Sequence, residues 1–206
     1  MNILTQELGY STSWAILDSR HFGTAQKRRR VYIVGFDAGL GGQFHFPSPE
    51  SHPSSAHSIR FGDIRQKEGV DRHHYLSRKY LSGLYKHRAK QKSLGRNFGY
   101  LLVGDDNLAN ALLCNKMGWE RNLVSDIPGV SLADNLGELE GKVRFMTPLE
   151  WERLQSFPDG WTEGESDTIR RRLLGNAVTV NVVKAVCGGI VGELVTPSPV
   201  DKGLFG

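Results

Sequence analysis

The chain has 206 residues, 39% of them hydrophobic, enough for the core of one domain or two small ones. Its 26 Lys and Arg against 22 Asp and Glu leave a net charge of +4, too small an excess to mark a nucleic-acid binder by itself, so the placement of the charges has to carry that question. The sequence reads without an apolar run able to span a bilayer and without a secretory leader, so a cytoplasmic location and no membrane partner are expected.

In chain order, Ile3, Leu4 and Leu8 fall at helical spacing before Gly9, as at the end of a helix that began upstream. Ser13 to Leu17 and Val31 to Phe36 are rich in β-branched and aromatic residues and read as strands, the second continuously apolar as if covered on both faces. Just before it, Gln26-Lys27-Arg28-Arg29-Arg30 holds several guanidinium groups near one sheet edge. Such a cluster suits a phosphate or a planar polar base, although composition alone favours a solvated basic turn with no ligand. Gly39 to His57 is rich in Gly, Pro, Ser and His and is the best linker candidate.

Leu76 to Lys92 reads as an amphipathic helix. Leu76, Tyr80, Leu81 and Leu84 form its apolar stripe, while Arg78, Lys79, Lys86, Arg88, Lys90 and Lys92 form a basic face with no acidic residue among them. That face suits phosphates, and a solvated surface helix is the alternative. Gly95 to Tyr100 is interrupted by glycine and presents Arg96 and Asn97, whose side chains can read guanine and adenine edges; Arg121 and Asn122 are further readout candidates. Turn-rich and strand-like pieces continue to Val130.

Thr147, Pro148 and Glu150 form a capping-box signature for a helix from Pro148 to Gln155. Gly175-Asn176-Ala177-Val178 then opens an apolar helix reaching Leu194, where backbone N–H groups and an amide can meet a ligand. Residues 195–206 are expected to fray. Cys114 and Cys187 lie far apart in apolar surroundings, with no metal-ligand spacing and no disulfide framework; both are expected to be buried, reduced thiols. No metal site is expected.

Three of these segments, in order, resemble motifs of the DNA (cytosine-5) methyltransferases. Phe22 to Phe36 is similar to the eighth motif, Gln-x-Arg-x-Arg before a strand, at Gln26, Arg28 and Arg30. The resemblance implies that Arg30 first and Arg28 second hold the target cytosine and its backbone. Arg144, Thr147, Glu150, Arg153, Leu154, Phe157 and Pro158 are similar to the ninth motif, which supports the recognition domain. Asn176, Ala177 and Val178 are similar to the tenth, which walls the S-adenosyl-L-methionine pocket; where the family often has Gln two residues before the glycine, this chain has Leu173.

The resemblance implies an α/β fold: part of a Rossmann-like methyltransferase domain plus a small mixed α+β target-recognition domain. Residues 1–46 would be catalytic-domain strands with the eighth motif, 47–143 the recognition domain, 144–165 a hinge segment, 166–195 the helix returning to the catalytic domain, and 196–206 a flexible tail. It further implies double-stranded DNA as partner, with a CC-GG type site such as CCGG or CCWGG. The family's nucleophilic cysteine in Pro-Cys-Gln, its Glu-Asn-Val glutamate and its Phe-x-Gly-x-Gly cofactor loop do not occur in this sequence. Neither Cys114 nor Cys187 follows proline, so neither replaces the nucleophile. The expectation is therefore a component that is inactive alone. Methyl transfer and cofactor binding then need an N-terminal catalytic subunit or domain, whether the chain is a natural subunit, an expressed domain or the product of a truncated gene. A stand-alone DNA-binding module and a non-functional remnant are the other readings.

Overall fold

A computed structural model describes residues 3–40, 44–48, 58–114, 119–133 and 136–195. Strand β1 (Tyr10–Asp18) pairs antiparallel with β3 (Arg29–Asp37) along their full nine residues, from Tyr10↔Asp37 to Asp18↔Arg29. Asp18 accepts from the backbone N–H of Arg20 at 3.3 Å to start a 3-10 turn over Ser19–Phe22, and the chain leaves that turn through Gly23 at φ 70°, where a Cβ would be strained. Alternation along the strands sends Leu17, Val34 and Phe36 to one face, where Phe22, Phe44 and Val182 and Val186 of helix α6 (Val180–Val195) pack on them.

The opposite face carries Trp14, Ile16, Val31 and Ile33, which are 59, 49, 59 and 53% exposed. The continuous apolar run of β3 predicts cover on both faces. Among the described residues only one face is covered, because Phe22, Phe44 and α6 all pack on the same side of this two-stranded sheet.

The remaining strands are short. Strand β2 (Gln26–Lys27) runs parallel to β5 (Ala109–Asn110), and β6 (Leu123–Ser125) lies between parallel β4 (Leu102–Val103) and antiparallel β7 (Val143–Phe145). Against this sheet packs α2 (Arg78–Ser93), with Leu81 and Leu84 buried beside Leu76, Tyr100, Leu123 and Val143. The helix starts later than its apolar stripe suggests because Ser77 takes the cap position and its hydroxyl accepts from the Tyr80 N–H at 3.3 Å. Leu76 stays buried ahead of the helix, its N–H donating to the Val143 carbonyl at 2.8 Å.

Three further helices place the candidate site residues. They are α1 (Phe61–Ile64), α4 (Pro148–Leu154) and α5 (Asp167–Asn176), with the short α3 (Leu136–Leu139) between α2 and α4. The capping box forms as its residues dictate, with Thr147 accepting from the Glu150 N–H and Glu150 from the Thr147 N–H. The central core combines Ala25, Phe61, Val103, Ala109, Leu112, Met146, Trp151 and Leu174, so it draws on sequence before, within and after the 47–143 segment.

Several expectations are corrected. Ile3–Glu7 forms a π-helical turn with no buried residue, and Gly9 follows at φ 70°. Of the linker candidate, Phe44 packs into the hairpin core, while 41–43 and 49–57 lie outside the described residues, as does the tail from 196. Cys114 and Cys187 are both exposed: Cys187 sits on the side of α6 turned away from Val182 and Val186, which local apolar composition does not foretell. One stretch, Asp167–Leu194 (28 residues), contains an 18-residue window of mean hydropathy 1.5, apolar enough by composition to cross a membrane. The helical backbone breaks at residues 177–179 within it, and the 16 residues of α6 extend about 24 Å, short of the roughly 30 Å of a bilayer core.

Candidate functional site

The arginine cluster divides sharply. Gln26 is fully buried: its amide nitrogen donates to the Leu154 carbonyl at 2.6 Å and to Gln155 Oε1 at 3.1 Å, and its oxygen accepts from the Leu112 N–H at 3.4 Å. Arg28, also buried, donates to the carbonyls of Leu112 (2.8 Å), Gly175 (3.3 Å) and Ala177 (2.8 Å). Burial, helped by nearby Arg30, pushes its pKa down to about 10, so it stays charged at neutral pH. These two side chains fasten β2 to the 112 loop, to the end of α4 and to the α5–α6 junction. Arg30 is exposed, its guanidinium resting on the Arg29 carbonyl at 2.8 Å. Of the three, it alone is open to an incoming group.

The α5–α6 junction is shaped by those contacts. Gly175 and Asn176 end α5 and α6 starts at Val180, so the Gly-Asn pair closes one helix instead of opening the next. Gln155 Nε2 donates to the Leu174 carbonyl, and its Oε1 accepts from the Thr179 hydroxyl at 2.7 Å. A Cβ at Gly175 would lie 2.5 Å from the Cys114 backbone nitrogen, so glycine is what allows the two backbones to meet. Held from beneath, the junction presents Asn176 and Val178 to solvent, with Ala177 half-buried between them.

The segment from Arg144 to Pro158 is a scaffold built on buried charge. Arg144 and Glu150, both essentially inaccessible, pair in two parallel bonds of 2.8 and 2.9 Å, and Glu150 also accepts from the Gln66 N–H. Arg153 pairs with Asp159 and donates to the Ile64 carbonyl. Sequence reasoning missed Glu152, which lies one turn from Pro148. Although burial disfavours its charge, donors from Thr162, Arg170 and Gly160 outweigh that and hold its pKa low. The residue type gives no signal for this, since Glu on a helix is usually solvated.

A second missed cluster joins residues 71–74 to α5. His73 lies between Asp167 (3.0 Å) and Asp71 (2.9 Å), which raise its pKa, Asp167 most. Buried His74 is pushed down to about 4 by burial and by His73 and Arg171. The donor atoms of His73, His74 and Asp167 lie within 4.8 Å of one another, a spacing that a metal ion could bridge. Arg171, however, donates to His74 Nδ1 at 3.1 Å, which places the ring proton on Nε2, the nitrogen facing Asp167, and so opposes ligation.

The basic face of α2 is as the sequence suggests in one respect. Arg78, Lys79, Lys86, Arg88, Lys90 and Lys92 are all exposed. Arg88 also has a structural duty, donating to the Tyr100 carbonyl at 2.7 Å with its guanidinium 4.7 Å from the Tyr100 ring. Arg96 and Asn97 are exposed and Arg121 is half-buried. Asn122 does not fit a readout role: it is buried, its side chain exchanging two hydrogen bonds (2.8 and 3.0 Å) with the Asn110 backbone to bridge the strand segments.

The comparisons with known proteins agree in direction. The family model described as C-5 cytosine-specific DNA methylase matches residues 1–192. The chain is 38% identical over 200 residues to the Type II methyltransferase M.HpaII of Haemophilus parainfluenzae, covering 94% of this chain and 54% of that protein. It is 29% identical over 182 residues to M.NlaX of Neisseria lactamica, covering 88% and 52%. The chain thus spans about half the length of the curated relatives it matches. The Dnmt2 methyltransferase of S. pombe superposes with a TM-score of 0.71 at 16% identity, over 93% of this chain and 60% of that one, and the Dnmt2 of Spodoptera frugiperda with 0.63 at 19%, again over 93% and 60%. The fold is therefore that of a mixed α/β, Rossmann-like methyltransferase.

Proposed function

Because the chain belongs to the family of C-5 cytosine-specific DNA methylases, we propose that it is the DNA-recognising, C-terminal portion of such an enzyme, inactive until joined to an N-terminal portion that bears Pro-Cys-Gln. The observation that carries this reading is the uncovered face of the β1–β3 sheet, where Trp14 pairs with Ile33 and Ile16 with Val31, all about half in water. Covering what remains exposed is worth about 1 kcal/mol per side chain, or about 4 kcal/mol for the four. Association costs at least that much, so the joint also needs backbone pairing along the strand edges. A sheet-forming methyltransferase half answers both needs.

In this reading the basic face of α2 meets the phosphates of double-stranded DNA, and the loop carrying Arg96 and Asn97 reaches base edges, at a site of CC-GG type. Arg30 holds the cytosine or its phosphate near the nucleophile. Gln26 and Arg28 act one step back, fixing the strand that carries Arg30 and the junction that carries Asn176. The residues present fit one wall of an S-adenosylmethionine site: Asn176 offers an amide and Val178 an apolar surface. No carboxylate lies on that junction to hold a ribose or an ammonium group, so the rest of the site falls to the N-terminal portion. When bound, S-adenosylmethionine supplies the methyl group. The cytoplasm, where the DNA of bacterial relatives lies, is the compartment we assign.

The test is to mix the chain with the N-terminal portion of a relative, labelled S-adenosylmethionine and duplex DNA, and to measure incorporation and co-elution. Label should enter DNA only in the mixture, and Trp14→Lys with Ile33→Lys should abolish both readouts without lowering the melting temperature of the chain alone. Absence of co-elution with every family portion tried defeats the reading. A stand-alone DNA-binding module is favoured by one feature, that the six basic residues of α2 are all exposed. It requires sequence-selective binding by the chain alone and no complex with any methyltransferase half.

A further inference from the structure

We propose that Phe98 is an apolar base-reading element, and that Arg121, lying over the same ring, is the donor it positions against a guanine. This rests on the reading that the segment between Pro47 and Val143 faces DNA. Phe98 is 38% exposed and belongs to none of the three core clusters. A singly exposed aromatic is ordinary by itself; what distinguishes this one is how it is held.

The Phe98 and His87 rings stand in a T-shaped pair, centroids 6.2 Å apart at 79°, and the Arg121 guanidinium stands 5.9 Å from the centre of Phe98. Phe98 therefore separates two recesses. One, of about 490 Å³, is lined by Arg88, Lys92, Arg96 and Asn97; the other is bordered by His87, Glu120 and Arg121. The one carboxylate in the second recess, Glu120, already accepts from the Tyr80 hydroxyl.

The loop that carries the ring is braced. Gly95 at φ 70° and Gly99 at φ 140° bracket it, and a Cβ at Gly99 would press to 3.1 Å from Arg88 Cγ, the side chain that ties Tyr100 to α2. An aromatic surrounded by cations on a braced loop presents a π face and an apolar edge to bases or a thymine methyl. The cation–π contact also orients a guanidinium fork suited to guanine O6 and N7.

The experiment selects preferred duplexes from a random pool with the unmodified chain, then measures binding to the selected and to an unrelated duplex across a salt series. Phe98→Ala and Arg121→Lys should each reduce the preference for the selected duplex about 10-fold. Unrelated-duplex binding and its salt slope should stay unchanged, and Phe98→Tyr should retain the preference. Unaltered preference in Phe98→Ala overturns this inference while leaving DNA recognition standing. If the unmodified chain binds no DNA in a salt-dependent way, the underlying reading of the segment fails, and this inference with it.

Discussion

The guanidinium of Arg28 donates to the carbonyl of Ala177 at 2.8 Å across 149 positions of sequence, and the same group reaches Leu112 and Gly175. A single cation thereby satisfies three carbonyls at the meeting of β2, the 112 loop and the α5–α6 junction. Removing it takes the charged donor from all three, two of them in buried bonds. Arg28→Ala should lower folding stability by about 3 to 4 kcal/mol in denaturant melts, and Arg28→Lys should recover only part, because an ammonium lacks the fork that spans them. A wild-type midpoint for Arg28→Ala would disprove the clamp.

Arg144 and Glu150 form a buried, two-bond pair. Losing one partner leaves the other's buried charge without its counter-ion, so Glu150→Leu and Arg144→Met singly should each cost about 3 to 5 kcal/mol. The double replacement should cost less than the sum of the two. Strict additivity in that cycle would mean the pair is not coupled.

His74 makes stability depend on acidity. Its folded-state pKa is depressed to about 4 from an unfolded value near 6.5, so above pH 6.5 neither state is protonated and the residue has no effect. As pH falls from about 6.5 to about 4 the unfolded chain takes up a proton that the folded one refuses, and stability drops by up to about 3 kcal/mol. His74→Gln should flatten that part of a pH-resolved melting series. The raised pKa of His73 acts oppositely, its contribution being present below pH 6.5 and lost as pH rises through the folded value. An unchanged profile in His74→Gln would remove His74 as the cause.

Gly175→Ala tests the close approach behind the candidate cofactor wall. The added methyl would lie 2.5 Å from the Cys114 nitrogen and 2.7 Å from the Leu113 carbonyl carbon, both backbone atoms that cannot rotate aside. A loss of about 2 to 4 kcal/mol and a shift of the α5–α6 junction are expected. Retained thermal stability would show that the two segments part easily.

What could be read from residues alone was whatever depends on neighbours within a turn or two: the hairpin strands, the capping box at Thr147 and Glu150, and the basic face of α2. Those features come from side-chain period and cap chemistry, which are local. What became of each polar motif residue was decided elsewhere. Gln26, Arg28 and Asn122 have the same chemistry as exposed Arg30, Asn97 and Asn176, yet they are buried because distant backbone carbonyls and N–H groups close over them. The exposed cysteines and the bare face of Trp14 and Ile33 obey the same rule in reverse. Burial is a property of contacts between segments far apart in the chain, and no periodicity in the sequence records which segments meet.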